Sequence, residues 1–128
     1  MGGSEHGNVT PAAEFNAYAD PEAMKIVFRS GLDVTMVGLD VTLKTAVPMW
    51  VKEAVERVET PEAQLAAQVI DFCLRRNKEW GYDEANLHDV VAFCASVNPS
   101  VLTFKKYYMD VETEGTITRG MTVADFRD

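Results

Sequence analysis

Residues 34–39, VTMVGL, constrain the fold more than any other stretch of the chain. The run is short, β-branched and almost wholly apolar, which is the pattern of a strand buried on both faces. Such a strand needs cover on both sides, and the flanking sequence offers helices for it. Upstream, ADPEA at 19–23 places Asp20 as an N-cap and Pro21 in the first helical turn, where a missing N–H has no partner to lose. Met24, Val27 and Phe28 follow at helical spacing, and Gly31 suits the C-terminal stop. Helix, short link and buried strand in succession is the rhythm of a parallel α/β sheet.

Downstream the pattern turns helical again over 48–58, and TPEAQ at 60–64 repeats the capping logic with Thr60 and Pro61. The next helix carries Leu65, Val69, Phe72 and Cys73 on one face, the expected core face, and ends in the basic turn LRRNK, which suits the negative end of a helix dipole. LHDVVAFCASV at 87–97 reads as a third helix, with His88 and Asp89 at its first turn and Asn98-Pro99 closing it. VLTFKKYYMDVET and TITRGMTVAD read as two strands joined by a turn at Glu114-Gly115. The expected architecture is α/β: a mostly parallel sheet flanked by helices, with a C-terminal antiparallel strand pair, in a single domain over 1–128. Ligands in open sheets of this kind gather where strands end and loops begin. The polar loop GNVTPAAEFN at 7–16 and the LHD turn at 87–89 both occupy loop-to-helix positions, so chemistry is expected there.

Composition narrows the partners. With 47% hydrophobic and 25% charged residues the chain has the make-up of a folded globular protein. A net charge of −8 makes a polyphosphate or an anionic surface repulsive, which excludes nucleic acid and membrane as partners. The two cysteines, Cys73 and Cys94, each fall on an apolar helical pattern and are expected to be core thiols in a reducing compartment. MGGSEHGN has neither the basic start nor the apolar stretch of a signal peptide, so the expected location is cytoplasmic.

GNVTPAAEFNAYADPEA, MVGLDVT, LHDVVA and VETEGTITRGMTVAD occur in that order along nearly the whole chain. Together they resemble the inosine–uridine-preferring nucleoside hydrolases. The resemblance implies hydrolysis of the N-glycosidic bond of a ribonucleoside, with a calcium ion held by aspartates and the ribose 2′- and 3′-hydroxyls. By motif, Asn8 corresponds to a ribose-binding amide, Glu14 and Asn16 to the pair that hydrogen-bonds the sugar hydroxyls, and Phe15 to a wall beside them. His88 falls where the family places a leaving-group acid, and Asp89 where it places a calcium-binding carboxylate.

The chemistry of these residue types agrees with that mapping. Ribose hydroxyls both donate and accept, so a carboxylate flanked by amides satisfies them, and a neutral nucleoside meets no repulsion from an acidic protein. On this reading the partner of Glu14 is the ligand rather than a salt bridge. Departure of the base leaves an oxocarbenium-like sugar that carboxylates stabilise, and an imidazole near neutral pKa protonates the leaving nitrogen. Read as residues alone, His88 and Asp89 equally suit a helix start, and Asn8, Glu14 and Asn16 a solvated loop with Asx turns. Trp80 and Tyr82, in EWGYDEANLHD, either cover the base or pack against the sheet, and packing is the commoner role for such aromatics.

The chain also departs from the family pattern. The aspartate-rich opening that supplies most calcium ligands and the water-activating base has no counterpart here, and Met1-Gly2-Gly3 looks like an internal Met-Gly-Gly of longer enzymes. The expectation is a C-terminal portion of the family domain, short at both ends, inactive alone, and completed by an N-terminal complementary fragment or by self-association. The alternative is a non-catalytic nucleoside- or ribose-binding module, or a decayed remnant. Asp89 offers at most two oxygens to an ion that prefers about six to eight.

Overall fold

In the computed structural model, which describes residues 1–79 and 81–127, two short helices follow the opening loop: α1 (Phe15–Ala19) and α2 (Pro21–Phe28). Then come α3 (Leu39–Thr42), β1 (Ala46–Val47), α4 (Met49–Glu56), α5 (Pro61–Glu79), β2 (Ala85–Asn86) and α6 (His88–Val97). A 3₁₀ turn at Pro99–Val101 leads to β3 (Tyr108–Val111) and β4 (Thr122–Asp125). The chain divides into two compact units, one of Met1–Val41 with Asp89–Asp128, the other of Thr42–His88.

Local signals produce the helices where they stand in the sequence. Asp20 caps α2, its carboxylate accepting from the Ala23 N–H at 2.9 Å, with Pro21 at the first position. Gly31 ends the run at φ +79°, a conformation that costs glycine nothing. Thr60 Oγ1 accepts from the Ala63 N–H at the start of α5, and Arg76 and Lys78 lie in its last turn. The C-terminal strands pair antiparallel, Tyr108 opposite Asp125 through Val111 opposite Thr122. Both are shorter than the apolar runs that contain them, because residues 112–121 form the connection. There the Glu112 carboxylate accepts from the N–H groups of Glu114 and Gly115, which holds it below the usual carboxylate range.

The buried strand expected at 34–39 is not formed. Residues 33–38 take no helix, strand or turn, and α3 begins at Leu39. Two backbone bonds do tie this segment to the first residues: Gly2 N–H to the Val37 carbonyl at 3.2 Å, and Leu39 N–H to the Gly3 carbonyl at 2.9 Å. Both chains advance in the same direction through these bonds, the sense of a parallel pairing, but a ladder needs more neighbours than one two-residue tie supplies. Among the described residues, the strand pairings are the antiparallel β1–β2 and β3–β4.

In the Thr42–His88 unit the core is Ile70, Leu74 and Ala85, with Val47, Val55, Cys73 and Leu87 packed around it. This turns α5 away from the expected face: Ala67, Ile70 and Leu74 are buried, whereas Leu65, Val69 and Phe72 are 49–62% exposed. The helix carries two apolar stripes, and contact with α4 and β2 selects the one with the smaller residue at its head. Cys73 is half-buried and Cys94 exposed, so only the first approaches the expected core thiol; both are free. Tyr82 is 64% exposed rather than packed, and Trp80 lies outside the described residues. In the other unit Ala13, Ala17, Val37, Leu39, Ala95 and Val111 are buried. No helix among the described residues is long and apolar enough to cross a membrane.

Candidate functional site

The opening loop is built by its own backbone. The Ala13 carbonyl accepts from the N–H groups of Asn8, Val9 and Thr10 at 3.0–3.4 Å, and Thr10 Oγ1 accepts from the N–H groups of Ala12 and Ala13. Gly7 is required by this curl, since a Cβ there would lie 1.8 Å from the Thr10 carbonyl oxygen. The loop turns into α1 at Glu14, whose backbone is extended (φ −77°, ψ 149°), as an N-cap requires.

Glu14 is the centre of the arrangement. It is 3% exposed, which removes the solvated-loop reading, and its Oε2 accepts three backbone N–H groups: Gly3 at 2.8 Å, Asn16 at 3.0 Å and Ala17 at 3.2 Å. The partner of this carboxylate is therefore main chain. All three bonds converge on one oxygen, so Oε1 takes no hydrogen bond from any described residue. Oε1 is not wholly buried and keeps a small solvent contact. A nearly buried carboxylate with one oxygen locked and the other open is preorganised to accept from a ligand hydroxyl.

The residues expected beside it are there. Asn8 Oδ1 accepts from the Phe15 N–H at 2.9 Å, which binds the loop to the helix start and leaves the Asn8 amide NH₂ on the exposed side. Asn16 Nδ2 donates to the Met1 carbonyl at 3.3 Å, and Phe15 is 61% exposed. Asn8, Glu14, Phe15 and Asn16 thus form one cluster. Asp89 belongs to the same unit, exposed in the first turn of α6, and no hydrogen bond or ion pair joins it to the cluster among the described residues.

His88 is half-buried in the Thr42–His88 unit, its Nδ1 2.7 Å from Thr42 Oγ1. Thr42 is fully buried and its carbonyl accepts from Thr45 and Asn86, so the hydroxyl that orients the ring is itself fixed. The sequence reading missed both supports. Thr42 closes the MVGLDVT segment without any local sign that it faces a histidine 46 residues later, and nothing local to Gly3, in the Met1-Gly2-Gly3 stretch, shows that its N–H meets Glu14.

The donor set does not fit a calcium ion. Among the described residues no group of three or more His, Cys, Asp or Glu side chains comes together, and Asp89 alone falls far short of the oxygens such an ion takes.

The family model described as "Inosine-uridine preferring nucleoside hydrolase" matches residues 1–128. The chain is 43% identical over 128 residues to a pyrimidine-specific ribonucleoside hydrolase, RihA, of Photobacterium profundum, covering 98% of this chain and 41% of that protein. Among solved structures it resembles a plant nucleoside hydrolase with a TM-score of 0.89 at 31% identity, covering 97% of this chain and 40% of the other. A purine-preferring ribonucleoside hydrolase from Gardnerella vaginalis is matched with a TM-score of 0.87 at 36% identity, over 98% and 41%. The chain spans about two fifths of the length of each of these relatives.

Proposed function

Because the chain belongs to the inosine-uridine preferring nucleoside hydrolase family, we propose that it supplies the sugar-facing part of an enzyme that cleaves the N-glycosidic bond of ribonucleosides with water. The observation that carries this reading is Glu14, with Oε2 saturated by three main-chain donors and Oε1 open. Oε1 accepts from a ribose hydroxyl, the Asn8 and Asn16 amides complete the hydroxyls' remaining donor and acceptor positions, and the exposed Phe15 ring walls the sugar. The Glu14 carboxylate also favours the positive charge that grows on the sugar ring as the bond to the base lengthens.

His88 acts as the acid. In the acid form the ring is an imidazolium whose Nδ1–H donates to the Thr42 hydroxyl oxygen, and the Nε2 proton passes to the departing base nitrogen, leaving a neutral ring. Asp89 would offer one carboxylate to the metal expected of the family. Both units belong to one catalytic domain, and the full sheet of that domain is mostly parallel. The relatives named above include a pyrimidine-specific and a purine-preferring enzyme, and the substrate class common to them is the ribonucleoside.

A covalent chimera tests this. The present chain replaces the matched two fifths of the Photobacterium profundum relative, and base release from uridine and inosine is followed by absorbance. The expected result is turnover by the chimera, with Glu14→Gln lowering kcat/KM by about 10- to 100-fold, the loss of one charge-assisted hydrogen bond. His88→Ala is expected to lower kcat by about 10²- to 10⁴-fold. A folded chimera without turnover, or one indifferent to both substitutions, refutes the proposal.

A further inference from the structure

Glu14 is gripped from two directions by one short stretch of the C-terminal hairpin, residues 119–122, that lies outside the sugar-facing cluster. On one side stands Thr122, the first residue of β4 and 7% exposed. Its hydroxyl accepts from the Ser4 N–H at 3.0 Å and donates to the Ser4 carbonyl at 2.8 Å, across 118 residues of sequence. A hydroxyl both donates and accepts, so this one side chain meets both main-chain groups of Ser4, as a neighbouring strand would. Ser4 is itself buried, so losing the hydroxyl strands both groups away from water. Thr122 also closes on Gly3, where a Cβ would lie 2.9 Å from Cγ2 and 3.3 Å from Oγ1. Gly3 in turn gives its N–H to Glu14 Oε2 at 2.8 Å.

On the other side stands Gly120. It has φ +81°, and a Cβ there would lie 2.8 Å from Tyr18 Cα and 3.1 Å from Ala13 Cβ, so the hairpin backbone lies directly against α1 and the residue before Glu14. The stretch is anchored in its turn. The Arg119 guanidinium forks onto both carboxylate oxygens of Glu22 at 2.7 and 2.8 Å and donates to the Thr113 carbonyl, while the Gly120 N–H donates to the Glu112 carbonyl. Thr122 opposes Val111 in the β3–β4 ladder. With five residues α1 is far too short to be stable by itself, so the placement of its first turn has to come from tertiary contacts such as these.

We propose that Thr122 is a positioning residue for the Glu14 carboxylate, a role that rests on the reading of Glu14 as the ribose acceptor given above. By fixing Ser4 it fixes the Gly3 N–H, and that donor holds Oε2 so that Oε1 is presented to the sugar. Thr122 acts through Ser4 and Gly3 rather than on the substrate.

The test is amide hydrogen exchange on the full 128-residue chain. Gly3 is the informative amide because its N–H bonds Glu14 and not Thr122. Thr122→Val keeps the branched shape and loses the hydroxyl; Gly3 exchange at least tenfold faster is expected, with the amides of α2 within twofold of wild type. Thr122→Ser returns the hydroxyl and should bring Gly3 back to within threefold. On a Glu14→Ala background, where the Gly3 N–H is already released, Thr122→Val should add less than threefold. Val123→Ala, at the next position of β4 and 48% exposed, should leave Gly3 unchanged. Wild-type Gly3 exchange in Thr122→Val overturns the proposal, as does failure of serine to rescue or full additivity with Glu14→Ala. Equal acceleration throughout α2 and the hairpin also overturns it, because that is a plain loss of stability. In the active chimera Thr122→Val should lower kcat/KM at least threefold and Thr122→Ser should restore it, and an unchanged kcat/KM again overturns the proposal. A chimera without turnover refutes the catalytic reading alone, since exchange at Gly3 still decides whether Thr122 sets the carboxylate.

Discussion

Replacing Glu14 by alanine removes three main-chain hydrogen bonds at one stroke, and the structure sets what each loss should cost. The Asn16 and Ala17 N–H groups are the first donors of α1, and deleting the side chain that caps them costs about 1 kcal/mol. Gly3 is buried and its N–H has Oε2 as acceptor, so truncation strands that donor at about 1–3 kcal/mol. Relief of the carboxylate's own desolvation works in the opposite direction, which moves the total toward the lower end, about 2 kcal/mol. Glutamine keeps an acceptor for the same donors but loses the charge assistance, and should cost about 1 kcal/mol.

For a chain of this size, 2 kcal/mol lowers a urea midpoint by about 1 M. Because two units need not unfold together, the sharper assay is amide exchange at Gly3 by NMR. Glu14→Ala should speed it about 30-fold, the factor that corresponds to 2 kcal/mol. Gly3 exchange at the wild-type rate with an unmoved midpoint would show that Oε2 is not what holds the opening strand of chain, and the preorganised carboxylate would have no support.

Leu74 is 4% exposed at the centre of the smaller unit, so Leu74→Ala should destabilise that unit by about 2–4 kcal/mol, read as faster exchange along α5, whereas Leu65→Ala on the exposed stripe should change little. Thr42→Val removes the hydroxyl at His88 Nδ1 while keeping the shape; the ¹⁵N spectrum of the ring should shift toward a mixture of tautomers, and an unchanged spectrum would remove Thr42 as the orienting group. Glu22, Asp110 and Glu112 all have folded pKa values held low, Glu22 by the Arg119 guanidinium, Asp110 by Arg29 and Glu112 by backbone N–H groups. Their contribution is therefore complete above the unfolded carboxylate range, about pH 4–4.5, and is lost as pH falls through the lower folded values; Arg119→Ala should flatten the acid limb of the unfolding midpoint against pH. Calcium titrated into the chain alone should give no calorimetric signal at millimolar ion, since Asp89 gathers no further ligands among the described residues; saturable binding would mean a cluster assembles in solution.

Signals that act within a few residues were legible, and those that depend on distant pieces were not. Asp20 with Pro21 and Thr60 with Pro61 announce helices that exist, because a cap and its N–H groups lie three residues apart. The loop cluster was likewise readable as a unit, since Asn8, Glu14, Phe15 and Asn16 fall within nine residues. The run at 34–39 has the composition of a strand but no ladder, because strand formation is decided by neighbours rather than by the run itself. On α5, Leu65, Val69 and Phe72 look as apolar as Ala67, Ile70 and Leu74, and nothing local states which stripe meets α4. The pairing of His88 with Thr42 spans 46 residues and had no periodic trace.

The same distinction explains the glycines at the start. Gly3 has φ +74°, and a Cβ there would lie 2.7 Å from Met36 Sδ and 2.9 Å from Thr122 Cγ2. The backbone thus threads between the 36–39 segment and β4 with no room for a side chain. Its N–H holds Glu14, its carbonyl holds Leu39, and the next residue exchanges hydrogen bonds with Thr122 through Oγ1. The sugar-facing carboxylate is therefore fixed less by its own loop than by a single residue pinned on two sides. It follows that Gly3→Ala, three residues into the chain and with no polar side chain to contribute, should disturb the geometry at Glu14 as much as substitutions within the loop do.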